Sequence, residues 1–152
     1  MITVVETAPD WEAFRALVVE YAHWLGVDLC FQGFDDELAA LPRHYGAPHG
    51  VALLAWAGNE PVGSVGVRRF EAGVCELKRM YIREAARGTG LGRALAERAI
   101  TEARRMGYGS MRLDTLATMA PAIALYTSLG FTEIGAYREN PLDEPCFFEL
   151  TL

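Results

Sequence analysis

The run Arg87-Gly88-Thr89-Gly90-Leu91-Gly92-Arg93 constrains this chain more than any other stretch of it. Three glycines lie in a basic turn. The apolar-alternating run before it, Glu76-Leu77-Lys78-Arg79-Met80-Tyr81-Ile82, reads as a strand. Leu91, Leu95, Ala99, Ala103 and Met106 after it fall on one face of a helix. A glycine-rich turn that leads a strand into a helix gathers backbone N–H groups where the helix dipole favours an anion. It therefore predicts a backbone cradle for a phosphate group.

The glycine spacing separates the ligands such a cradle can hold. A dinucleotide fingerprint needs Gly-x-Gly-x-x-Gly after a first strand, with an acidic residue about 20 positions on. Here the glycines alternate and lie past the middle of the chain. A nucleoside-triphosphate loop ends in Gly-Lys-Ser/Thr. Gly92 is followed by Arg93-Ala94, so no lysine is placed for phosphates and no hydroxyl for magnesium.

The spacing that remains is Arg-x-x-Gly-x-Gly, carried by Arg87, Gly90 and Gly92 behind Glu76-Leu77-Lys78-Arg79-Met80-Tyr81-Ile82. It resembles the acyl-CoA-binding motif of the GNAT superfamily of N-acyltransferases. Downstream, Ala122-Ile123-Ala124-Leu125-Tyr126-Thr127-Ser128-Leu129-Gly130-Phe131 is similar to that superfamily's second signature, a helix carrying a tyrosine and ending in Leu-Gly-Phe. The two signatures cover about the C-terminal half of the chain. The resemblance implies an α/β fold with a single mixed central sheet of about seven strands flanked by helices on both faces. It also implies acetyl-CoA as co-substrate.

The rest of the chain is consistent with one domain over residues 1–152. At 152 residues, 51% of them hydrophobic, it can bury a sizeable core. Strands are expected at 2–6, 51–57, 62–70, 74–82 and 111–115, one starting at Phe131, and one over 147–152. A first helix is expected behind Asp10 as cap, with Phe14, Leu17, Val18, Tyr21 and Leu25 on its apolar face and Gly26 ending it. A short helix from Asp35 to Leu41 should stop at Pro42, leaving residues 43–50 as a loop. Pro121 suits the first turn of the Tyr126 helix.

The net charge of −6 and pI near 5.1 argue against generic nucleic-acid binding. No run of roughly 18 apolar residues suggests a membrane span, and the first residues do not read as a signal peptide. Cys30, Cys75 and Cys146 have unrelated spacings, and His23, His44 and His49 show no ligand pattern. A cytoplasmic protein without a metal is expected, acting on a small molecule and not on nucleic acid or membrane; a homodimer is compatible with it.

Acyl transfer from a CoA thioester to an amine sets needs that named residues can meet. The backbone of Gly88, Thr89, Gly90, Leu91, Gly92 and Arg93 can hold the pyrophosphate, with Arg87 and Arg93 adding positive charge. Main-chain groups of Met80, Tyr81 and Ile82 can pair with the peptide-like pantetheine arm, and an N–H there can stabilise an oxyanion. By the resemblance, Glu76 matches the glutamate used as general base in some members; it reads equally as one half of an ion pair. Tyr126 matches the general acid that reprotonates the thiolate, the alternative being a core tyrosine. Many members carry an asparagine seven residues before that tyrosine. Here the position is Met119, so backbone, Thr115 or Thr118 must replace its pantetheine contact. Acceptor-side candidates are Phe31, Tyr45, His49, Tyr137, Arg138 and Asn140, each also readable as packing. Tyr21 and Trp24 read as core.

These residues point to an N-acetyltransferase acting by direct attack on a primary amine of a small or amino-acid-like acceptor. A non-catalytic acyl-CoA sensor, and transfer to a protein lysine or N-terminus, are the alternatives. A cysteine nucleophile is disfavoured, because neither Cys75 nor Cys30 has a histidine partner at a telling position.

Overall fold

In a computed structural model describing residues 1–26 and 33–152, seven strands form one mixed sheet in the order β1-β2-β3-β4-β5-β7-β6. The strands are β1 (Ile2–Val4), β2 (Val51–Ala57), β3 (Glu60–Glu71), β4 (Val74–Ile82), β5 (Ser110–Leu116), β6 (Thr132–Ile134) and β7 (Pro145–Thr151). The helices are α1 (Ala8–Leu25), α2 (Phe34–Ala39), α3 (Leu41–Tyr45), α4 (Leu91–Arg105) and α5 (Ala120–Ser128).

Short hairpins explain the antiparallel half. Gly58 and Gly73 take left-handed backbone angles in the turns that join β2 to β3 and β3 to β4. The connection from β4 to β5 runs through α4, and it gives the one parallel pair among the described residues.

β2 is apolar throughout because both its faces are covered. Val51, Leu53 and Ala55 pack in a cluster with Leu95, Ala99 and Ala103 of α4. Ala52 and Leu54 face the other way, onto Phe14, Leu17 and Val18 of α1. The sheet thus carries helices on both faces, as the sequence implies.

Three local expectations are corrected. The cap of α1 is Thr7, not Asp10: Thr7 Oγ1 accepts from Asp10 N at 3.3 Å while Asp10 Oδ2 accepts from Thr7 N at 3.0 Å, closing a capping box. Pro42 does not stop helical structure; it sits in the first turn of α3, where its missing N–H costs nothing. The loop expected at 43–50 is therefore helical through Tyr45. The second strand of the β2–β3 hairpin runs 12 residues, through the positions of Gly63 and Gly66.

One irregularity shapes the rest. Ser64 pairs with Tyr81 and Gly66 with Lys78, so two steps on β3 match three on β4. The extra residue is a bulge at Arg79, whose φ is +58°. Ser64 Oγ donates to the Arg79 carbonyl at 3.2 Å and fastens it. β4 leaves β5 three residues before this bulge: their register holds only Val74↔Ser110, Cys75↔Met111 and Glu76↔Arg112.

Candidate active site

The parting of β4 from β5 opens a cavity of about 350 Å³ in the middle of the sheet. One wall is the end of β4, including Met80, Tyr81 and Ile82. The opposite wall is the end of β5, with Thr115, together with Thr118 and Met119. α5 closes a third side with Ala122, Leu125 and Tyr126, and Tyr21 and Leu25 of α1 lean in from the other face. Arg87 and Gly92 stand at the margin where the glycine turn begins α4.

That turn is built as the sequence implies. Gly88 and Gly90 hold φ of +76° and +83°, angles that an L side chain resists. Gly90 caps α4 without any side-chain acceptor, so the first amides of the helix are left to another partner. Thr89 Oγ1 donates to the Ala86 carbonyl, and Arg93 is paired with Glu97 at 2.9 Å on the surface. Arg87 is held flush by its Nε, which donates to the Ile82 carbonyl at 2.9 Å. Its guanidinium lies 4.6 Å from the Trp24 ring centre and 5.9 Å from that of Tyr81.

Tyr126 is 5% exposed, and its ring rests on Phe131 with centroids 5.6 Å apart. Burial pushes its phenol well above the ordinary value, so it stays a protonated donor at neutral pH. Met119 sits at the start of α5 and lines the cavity, as do both candidate substitutes for the asparagine contact, Thr115 and Thr118.

Glu76 is placed elsewhere. It is fully buried on the α1 side of the sheet and is not among the residues lining the cavity. Its carboxylate accepts from Arg138 Nη2 at 2.7 Å, Tyr137 Oη at 2.8 Å and Arg68 Nε at 3.2 Å. Arg68 also reaches Glu37 of α2 at 3.3 Å, and Glu37 takes a two-pronged bond from Arg79 at 2.8 and 2.9 Å. Two buried glutamates and three arginines thus tie α2, β3, β4 and the segment before β7 together.

The acceptor-side candidates scatter. Tyr45 is fully buried in the core against Phe14, filling space above Gly66, where a Cβ would stand 2.6 Å from its ring. His49 is exposed, and its carbonyl accepts the Tyr108 hydroxyl. Tyr137 serves Glu76, and burial together with that carboxylate pushes its phenol up. Phe31 and Cys30 lie outside the described residues. Asn140 does line the cavity, where its Nδ2 donates to Asp114 Oδ2 at 3.1 Å.

Sequence reading missed Lys78, Asp114 and Tyr21, which all line the cavity. Lys78 Nζ stands 3.6 Å from Asp114 Oδ1, and both side chains are only 4% exposed. Burial, the largest influence, lowers the Lys78 ammonium to about 8 against the pull of Asp114. The signal available in the sequence was weak, since Lys78 reads as an outward residue of an alternating strand. Cys75, the nucleophile considered, is buried and pushed up to about 12, which keeps it a thiol.

Comparison with known proteins adds the family. The model of the acetyltransferase (GNAT) family matches residues 11–131. An uncharacterized N-acetyltransferase of Schizosaccharomyces pombe is 41% identical over 153 residues, covering 99% of this chain and 94% of that protein. An acetyltransferase of Streptococcus agalactiae superposes with a TM-score of 0.81 at 22% identity, over 100% of this chain and 98% of that one. A protein of Salmonella typhimurium, solved with its cofactor acetyl-CoA, superposes at 0.73 with 24% identity over 99% and 92%. These two structures speak for the fold alone.

Proposed function

We propose that this chain, which belongs to the acetyltransferase (GNAT) family and is an acyltransferase, moves an acetyl group from acetyl-CoA to the primary amine of a small or amino-acid-like acceptor, by direct attack in a ternary complex. The observation that carries the reading is the cavity itself: a slot between two parted strands, running into an uncapped helix start at Gly90, with Tyr126 on its wall.

The chain's residues fit the donor. The amides from Gly88 to Arg93 and the guanidinium of Arg87 suit a pyrophosphate. The β4 edge at Met80, Tyr81 and Ile82, not laddered to β5, suits a peptide-like arm that adds as a strand. Thr115 and Thr118 offer hydroxyls opposite that edge. Acetyl-CoA supplies an acyl thioester whose sulfur leaves as a thiolate, and Tyr126, kept protonated, donates to it. Glu76 acts as a positioning residue in this reading: three donors occupy its carboxylate, and they hold the segment carrying Tyr137, Arg138 and Asn140 over the acceptor side.

Calorimetric titration with acetyl-CoA, ATP and NAD, followed by thiol release with L-aspartate, L-methionine, phenethylamine, spermidine and an alanine-initiated peptide, tests the reading. Acetyl-CoA should bind, the two nucleotides should not, and at least one small amine should give turnover. Binding without turnover on any amine would favour a sensor. Turnover on the peptide alone would move the acceptor to protein. Binding of a nucleotide in place of acetyl-CoA would overturn the reading.

A further inference from the structure

The chain carries 14 basic side chains other than histidine, and all but one are arginine; the single lysine is Lys78. It does not sit on the surface, where lysine is usually found, but in the cavity wall with 4% of its side chain exposed. Strand alternation after Leu77 puts it on the α1 side, and the bulge turns Arg79 to the same side. Leu77 and Met80 pack on the α4 side, while Lys78 and Arg79 both face the α1 side, Arg79 reaching Glu37 of α2. Arginine keeps its proton under all ordinary conditions, whereas lysine is the cation that can release one when buried.

The groups facing Lys78 come from every element around it. Asp114 approaches from β5, Arg68 from β3, Glu76 and Arg79 from its own strand, and Tyr21 from α1. Glu37 of α2 and Arg138 complete the surrounding charges. Three arginines (68, 79 and 138) meet three carboxylates (37, 76 and 114). The seven groups balance when the lysine is neutral and carry one excess positive charge when it is protonated. Burial and that surplus together bring the Lys78 ammonium to about 8, a value suited to exchanging protons near neutral pH.

We infer that Lys78, held by Asp114, is the proton acceptor for the incoming amine. This rests on the acetyl-transfer reading above. In its neutral form Lys78 takes on Nζ the proton that the acceptor nitrogen loses. That nitrogen's lone pair becomes the new N–C bond to the acetyl carbon, and the electron pair of the C–S bond leaves with the CoA sulfur. The sulfur takes its proton from Tyr126, the proton on Nζ passes through water to restore that phenol, and nothing is oxidised or reduced. Asp114, 3.6 Å away, steadies the ammonium so formed, and Asn140 orients Asp114. The assignment gives a task to a buried pair that the donor site does not need, and leaves Glu76 to its three donors.

The single lysine makes the test direct. In protein labelled at lysine Cε with carbon-13, one lysine resonance is present, and its titration reads Lys78 alone. A midpoint near 8 is expected; a midpoint at or above the ordinary value of about 10.4 overturns the inference. Lys78→Arg keeps the charge but cannot accept a proton, and Lys78→Met keeps neither. Both should lose on the order of 100-fold in kcat and the rise of kcat/KM with an apparent pKa near 8. Acetyl-CoA affinity should stay within about threefold of wild type, because the donor contacts are elsewhere. Activity of Lys78→Arg within about threefold of wild type would show that charge, not proton acceptance, is what matters, and would overturn the inference. Should both variants fail to fold, the wild-type titration decides alone. Failure of wild type to bind acetyl-CoA would instead strike the acetyl-transfer reading, which keeps the two failures distinguishable.

Discussion

Glu76→Gln separates a structural carboxylate from a catalytic one. The side chain of Glu76 is 1% exposed and has two guanidiniums and a phenol as donors. Breaking a buried pair by removing one charge costs roughly 3–5 kcal/mol, since the partner charge is left behind. Two features reduce that figure here. Arg68 keeps Glu37 as a partner, and Arg138 is 19% exposed, so it can turn partly to water. Glutamine also keeps one carbonyl acceptor. A loss of about 2–3 kcal/mol follows, which for a chain of 152 residues corresponds to a drop in Tm of about 4–12 °C. Turnover, measured by thiol release about 15 °C below the variant's own Tm, should fall less than about tenfold. A general base removed from the reaction behaves in the opposite way, losing about 10²–10⁴ in kcat with the fold intact. Calorimetric melting and steady-state kinetics on the same preparation decide. An unchanged Tm with kcat down about 100-fold would refute the argument and return the proton to Glu76.

Tyr126→Phe removes one hydroxyl from the cavity wall; kcat should fall about tenfold while calorimetric affinity for acetyl-CoA holds, because a thiolate leaves fairly well unaided. Gly90→Ala forces a Cβ onto a φ of +83° at the start of α4; acetyl-CoA should bind at least about tenfold more weakly, with about 1–2 kcal/mol lost in urea unfolding. Gly66→Ala sets a methyl 2.6 Å from the Tyr45 ring and should cost about 1–3 kcal/mol by the same assay. Between pH 8 and about 10.4 an unfolded chain keeps the Lys78 proton that the folded chain has released. Wild-type stability should therefore rise with pH relative to Lys78→Met across that window, by up to about 1.4 kcal/mol per unit; a flat difference would contradict the lowered value.

Legibility in the sequence followed the range of the forces involved. The glycine turn, the end of α1 at Gly26 and Pro121 in the first turn of α5 are set by residues within a few positions, and a single stretch of sequence displays them. Tyr45 shows where this ends. Pro42 is compatible with both a stop and a first helical turn, and the choice fell to Leu41 and Tyr45, which bury themselves against α1 and Gly66. A residue read as loop and acceptor candidate thereby became core. Glu76 was open between two roles in the sequence, because two of its three donors, Tyr137 and Arg138, lie 61 and 62 residues on and only the sheet brings them together.

The bulge at Arg79 is the step that sequence patterning least reveals and that most shapes the site. An unbroken strand from Val74 to Ile82 would alternate strictly, placing Lys78 and Arg79 on opposite faces. Arg79 would then lie against the apolar α4 side, away from Glu37. One inserted residue turns Arg79 to the α1 side, where Lys78 already lies by alternation, and supplies Glu37 with its two-pronged partner. The bulge sets where Arg79 points, while the slot begins three residues earlier, where the β4–β5 pairing ends at Glu76. Deletion of Arg79 would restore strict alternation with Lys78 still on the α1 side but strip Glu37 of its two-pronged partner, so urea unfolding should show a loss of roughly 3–5 kcal/mol. A loss of less than about 1 kcal/mol would show that the Arg79–Glu37 pair does not anchor this part of the sheet.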